Sequence, residues 1–91
     1  MSERAWRLAM TGPAEKQLKR LPPSDQIRVR LALDRLIAPP GGSSGDVKKL
    51  QGRSGVWRLR VGNVRVLFER DPDTLTMLVV AVAPRGRAYS G

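Results

Sequence analysis

The sequence predicts one α+β domain: an N-terminal strand, a two-helix hairpin, then a three-stranded antiparallel meander, with both helices packed on one face of an antiparallel sheet. Three observations lead there. Residues 56–70, V-W-R-L-R-V-G-N-V-R-V-L-F-E-R, alternate apolar and polar side chains on both sides of Gly62-Asn63, as two strands joined by a tight turn require. Residues 25–38 carry apolar side chains at helical spacing between Pro22-Pro23 and the Pro39-Pro40-Gly41-Gly42 break. A chain of 91 residues supplies one two-layer core and leaves no room for a second domain, so residues 1–91 form a single unit.

The elements follow in order. Residues 5–10 alternate, with Trp6, Leu8 and Met10 on one side and Arg7 and Ala9 on the other, which is a first strand. Thr11-Gly12-Pro13 opens a helix, because Pro13 suits a first-turn position and Glu15 lies where the helix dipole favours an anion. Ala14, Leu18 and Leu21 recur along it. Ser24 is placed to cap a second helix over 25–38, whose main stripe of Val29, Ala32, Leu33, Leu36 and Ile37 should cover the sheet. Ile27 and Leu31 make a second stripe, expected to receive the shorter helix; the other use for it is a docking strip for a partner.

Residues 41–45 read as a Gly/Ser loop, and Asp46-Val47-Lys48-Lys49-Leu50 as one helical turn before a turn at 52–55. Lys48 and Lys49 could reach a phosphate backbone. Asp71-Pro72-Asp73 turns the chain into an interior strand over 74–83. A three-residue loop there would set Leu75, Met77, Val79, Ala81, Ala83 and Arg85 on the face that holds Arg60 and Arg65, and an even-numbered loop would reverse this; the first is expected, because Ala81 and Ala83 would then leave a shallow depression beside the arginines where a ligand could lie.

With Gly62 and Asn63 as the hairpin loop, Trp57, Leu59, Val61, Val64, Val66 and Phe68 share a face, which is the core. Arg58, Arg60, Arg65 and Glu69 share the opposite one with Val56 and Leu67, leaving it basic and concave. Arg60 stands directly across from Arg65, and like charges so placed destabilise a sheet by up to about 1 kcal/mol. A bound phosphate would relieve that repulsion, since guanidinium forks match its oxygens; Arg on a wet sheet face also serves solubility alone. The last residues, R-G-R-A-Y-S-G, add Arg85, Arg87 and Tyr89, a combination that grips phosphate and stacks on a base.

Composition narrows the chemistry. Seventeen Lys and Arg against eight acids give a formal charge of +9, which suits a polyanionic partner or an acidic protein. The chain has no Cys and no His, so disulfides, thiolate chemistry and a zinc site are excluded, and its scattered carboxylates argue against a magnesium cage. No metal or cofactor is expected. The start M-S-E-R-A-W lacks a signal peptide's apolar stretch and no basic amphipathic helix carries aromatic anchors, so a cytoplasmic protein without membrane contact is expected.

The order β, α, α, β, β, β, the string K-K-L-Q-G-R-S-G-V-W-R-L-R-V-G-N-V-R-V-L-F-E-R-D and the closing V-V-A-V-A-P-R-G-R-A-Y resemble the RelE/ParE superfamily of bacterial toxins, over residues 6–89. For its RelE-like branch the resemblance implies a ribosome-dependent mRNA endonuclease. The ribose 2′-hydroxyl attacks the adjacent phosphate without a metal, leaving a cyclic phosphate and a free 5′-hydroxyl, and translation stops. It implies Arg65 and Arg85 on the scissile phosphate, Arg58 and Arg60 at two basic hairpin positions and Tyr89 stacking on or orienting a nucleotide; Arg65, Arg85, Arg60 and Tyr89 are therefore the expected catalytic set, and Lys48, Lys49, Arg58 and Arg87 the expected RNA contacts. Preorganised guanidiniums suit a phosphorane that gathers negative charge.

Some family members have lysines where Arg58 and Arg60 stand, an aromatic at Val64 and a His at Pro84. Those differences leave Lys49, Glu69 and Tyr89 as candidates for proton transfer. The implied partners are the ribosome, mRNA and a cognate antitoxin whose acidic, amphipathic segment wraps the helices and covers the basic face, the complex binding operator DNA through the antitoxin. The superfamily also contains ParE-like, non-enzymatic gyrase poisons, and a chain that only binds its antitoxin is the third alternative.

Overall fold

Gly62 adopts φ +56° and is the only residue of the Gly62-Asn63 loop with positive φ, as a type II′ turn demands. That turn joins two strands in the register the alternation predicts. The computed structural model describes residues 6–38, 46–50, 52 and 55–84. In chain order these form β1 (Arg7–Met10), α1 (Gly12–Lys19), α2 (Pro23–Ile37), β2 (Asp46–Lys49), β3 (Val56–Val61), β4 (Val64–Asp71) and β5 (Thr76–Pro84). The strands make one sheet in the order β1-β5-β4-β3-β2.

Both helices lie on one side of the sheet, α1 against β5 and α2 across β1 and β3. Between the layers sit Ala14, Leu18 and Leu21, then Val29, Leu33 and Leu36 of α2, with Leu59, Val64, Val66, Phe68, Met77, Val79 and Val82 from the sheet. The predicted stripes therefore do face inward. Thr11 caps α1, its hydroxyl accepting from the Ala14 N–H at 3.1 Å.

Five expectations need correction. Residues 46–49 are an edge strand, not a helical turn, because Gly52 (φ +82°) and Gly55 (φ +78°) reverse the chain and let it pair antiparallel with β3. Its outer edge is short and carries two lysines, features that discourage further strand pairing. The sheet is mixed: β1 runs parallel to β5, the helical hairpin having carried the chain back over the sheet.

Ser24 does not cap α2. The helix starts at Pro23, whose missing N–H is no loss there, with Pro22 in the capping position and no side-chain bond to it. Gln26 of α2 instead donates to the carbonyls of Leu21 at 2.8 Å and Lys19 at 3.2 Å, clasping the end of α1. Ile27 and Leu31 are 59% and 53% exposed rather than covered by α1, because each helix sits on its own part of the sheet.

The fifth correction concerns β5. Asp71 pairs with Thr76, so the loop has the four residues 72–75, and Met77 and Val79 point into the core instead of joining the arginines. A β-bulge between Leu67 and Phe68 of β4 then leaves Val80 of β5 without its own partner and restores the predicted side for Ala81 and Ala83. Two departures from a simple hairpin thus cancel. Beyond the end of β1 the exposed edge of β5 is met by Gln17, whose side-chain oxygen accepts from the Val82 N–H at 2.7 Å.

Candidate functional site

The face turned away from the helices carries the candidate site. Register alone assembles it: Arg60 pairs with Arg65, Arg58 with Leu67 and Lys48 with Arg58, while Ala83 and Ala81 of β5 flank Arg65 and Leu67. Three strands therefore bring four cations to one side. Arg60 is exposed, whereas Arg58 and Arg65 are half-buried, with Nε of each and Nη2 of Arg58 shielded from water. Guanidinium groups held in that partly desolvated setting interact with an anion more strongly than fully hydrated ones do.

Val56 and Leu67 lie on this same face at 6% and 7% exposure, although no helix covers it. Arg side chains carry long apolar stems that can shelter such positions while their charged ends stay available. Arg60 and Arg65 lie next to the hairpin turn, where Asp46 of β2 pairs with Arg60, while Glu69 and Asp71 lie at the far end, lining a cleft of about 260 Å³ with Arg70, Thr74, Thr76 and Leu78. Glu69 sits one diagonal step from Arg58 in the register.

The predicted set is thus partly brought together. Arg58, Arg60, Arg65 and Lys48 converge, but Lys49 pairs with Trp57 and so lies on the helix-bearing side, away from them. Arg85, Arg87 and Tyr89 lie outside the described residues; β5 ends with Pro84 paired to Val64, beside the hairpin turn. Arg7 is an addition: the parallel pairing of Arg7 with Thr76 places it, exposed, on the arginine face near Asp71. The alternation of residues 5–10 sets it on the side opposite Trp6, Leu8 and Met10, but nothing in the sequence says which strand β1 joins.

Among the described residues no group of three or more carboxylates stands close enough to hold a metal ion. Among them, too, no helix is long and apolar enough to cross a membrane.

This arrangement of helices, sheet and basic face has relatives. The family model for the ParE toxin of type II toxin–antitoxin system, parDE, matches residues 8–89. The chain belongs to that toxin family. The toxin also shares the wider RelE/ParE fold. The RelE–RelB complex of Pyrococcus horikoshii superposes with a TM-score of 0.75 at 28% identity, covering 92% of this chain and 99% of that one. The RelBE2 toxin–antitoxin complex of Mycobacterium tuberculosis gives 0.74 at 24% identity, over 89% of this chain and 99% of that one. The Escherichia coli RelBE complex gives 0.75 at 16%, over 91% and 100%. At the two lower identities the likeness is one of fold. No curated protein matches the toxin in sequence.

Proposed function

We propose that the toxin is a RelE-like, ribosome-dependent endoribonuclease that cuts mRNA in the A site and stops translation in the cytoplasm. The observation that carries the reading is the cross-strand pair Arg60 and Arg65, with Arg58 and Lys48 beside it on one open face. Guanidiniums gathered on adjacent strands offer the oxygens of one anion several donors at once. A phosphate fits them, and the pentacoordinate phosphate of RNA cleavage, carrying more negative charge than the ground state, fits them better.

Under this reading Arg65 and Arg60 hold the scissile phosphate with Arg85, Tyr89 orients a nucleotide, and Arg58, Lys48 and Arg87 grip the flanking backbone. Lys49, turned to the other side of the sheet, would serve RNA only beyond the edge of β2. The 2′-hydroxyl is the nucleophile and no metal takes part. The partner is an antitoxin, as in the RelE–RelB complexes the fold resembles, with an acidic segment suited to a chain of charge +9.

A second reading has its own support, since the family model that matches is that of ParE toxins. A ParE-like protein would poison gyrase without cutting RNA. Mapping mRNA 5′ ends in a translating extract decides between them. New ends within codons at stoichiometric toxin are the expected result; intact message together with inhibited supercoiling would replace this reading by the second. Intact message, normal supercoiling and unaffected growth would leave a toxin that only binds its antitoxin.

A further inference from the structure

We propose that Trp6, Trp57 and Arg70 form an anchor for a carboxylate on an acidic, amphipathic protein segment, on the side of the sheet opposite the arginine face. The segment is that of the antitoxin proposed above, and the inference rests on that reading for the partner's identity alone. Arg70 stands on β4 opposite Met77 of the core, so its side chain emerges on the helix-bearing side. There its guanidinium carbon lies 5.0 Å from the centroid of the Trp6 ring and 5.2 Å from that of Trp57. Trp57 comes from β3 and Trp6 from the residue before β1, so the three meet only in the folded chain.

Among the described residues no carboxylate pairs with Arg70, and its Nε is buried without a hydrogen-bond partner while the residue as a whole is half-buried. Stacking on two indoles stabilises the cation. It also holds the planar fork in one orientation, so less freedom is lost when a carboxylate binds it. Lys49, exposed and paired with Trp57, adds a second positive charge on the same side.

The surroundings select the partner's class. Trp and Arg at the centre of a contact are the residue types that dominate protein–protein binding energy. A nucleic acid would use tryptophans as stacking platforms for bases, but here Arg70 already lies over both rings. What is left is a fixed guanidinium framed by apolar ring edges, which suits a peptide that alternates acidic and apolar side chains.

The chain contains two tryptophans, Trp6 and Trp57, so tryptophan emission reports this cluster alone. The full-length toxin is titrated with a synthetic peptide alternating Glu and Leu, with its Gln-for-Glu counterpart, and with an oligouridylate of equal length. The expected result is a saturable change of emission with the Glu peptide only. Arg70→Gln should weaken it roughly tenfold or more, the range for hydrogen bonds to charged groups. Arg70→Lys, which keeps the charge and guards against a folding defect, should fall between. Equal binding of the Gln peptide, the same emission change with oligouridylate, or unchanged affinity in both variants would overturn the anchor. Loss of RNA cleavage in an extract leaves these titrations readable, so the two proposals fail separately.

Discussion

The two faces of the toxin's sheet exclude water by different means. On the helix side, Val66, Phe68, Met77 and Val79 are fully buried by two helices that bring matching aliphatic stripes. On the other side Val56 and Leu67 are nearly as buried with no helix above them, in a field of arginines. Burial therefore does not distinguish the helix-packed face from the candidate site here. Charge placement does: strand pairing gathers Arg58, Arg60, Arg65 and Lys48 on the open side, whereas the helix side is lined by apolar side chains, with Arg70 and Lys49 toward the end away from the hairpin turn.

Substitutions can test that contrast. The largest stability effect belongs to the helix side: Phe68→Ala should cost about 3–5 kcal/mol, a large share of the roughly 5–15 kcal/mol typical of a domain. Denaturant unfolding midpoints would show it, and a loss below about 1 kcal/mol would mean that the core is not centred on this ring. Arg65→Ala should do the reverse. Message cleavage should fall about 10²–10³-fold, as when a preorganised transition-state donor is removed, while the unfolding midpoint moves little. Retained cleavage would take Arg65 out of the reaction.

Smaller effects probe what joins the two faces. Gly62→Ala places a side chain at φ +56°, where its Cβ would come within 3.4 Å of Arg28 Nη1. The left-handed backbone should cost about 1–2 kcal/mol; because this turn sets the Arg60 and Arg65 pairing, cleavage should drop in parallel with stability. Smallest is Gln17→Ala, which removes the acceptor for the Val82 N–H and should cost about 0.5–1.5 kcal/mol with cleavage intact. Thermal melts beside end mapping separate these two outcomes.

How far the chain could be read from its letters depends on the range of the interactions involved. The hairpin at Gly62 and the inward stripes of both helices are local matters of periodicity and turn chemistry, and the register they imply already sets Arg60 against Arg65. Long-range partners are what the letters conceal. Residues 46–50 have a composition that serves a helical turn equally well until β3 offers an edge to pair with. The spacing of Ile27 and Leu31 marks a stripe that suits a helix contact without saying what lies against it.

Parity along β5 shows the limit most plainly. Counting from the turn places Ala81 and Ala83 beside the arginines, and they are there, but by way of a four-residue loop and a compensating bulge that no count foresees. Arg70 is likewise just one more basic residue in a basic chain until folding brings the indoles of Trp57 on β3 and of Trp6, just before β1, around it. Sequence alone determined which residues alternate, where the chain turns and how strongly it attracts anions, since each depends on neighbours a few positions apart. Only the tertiary structure decided which strands became neighbours, and therefore which cations share a face, because that choice is made by packing between segments that are distant in the chain.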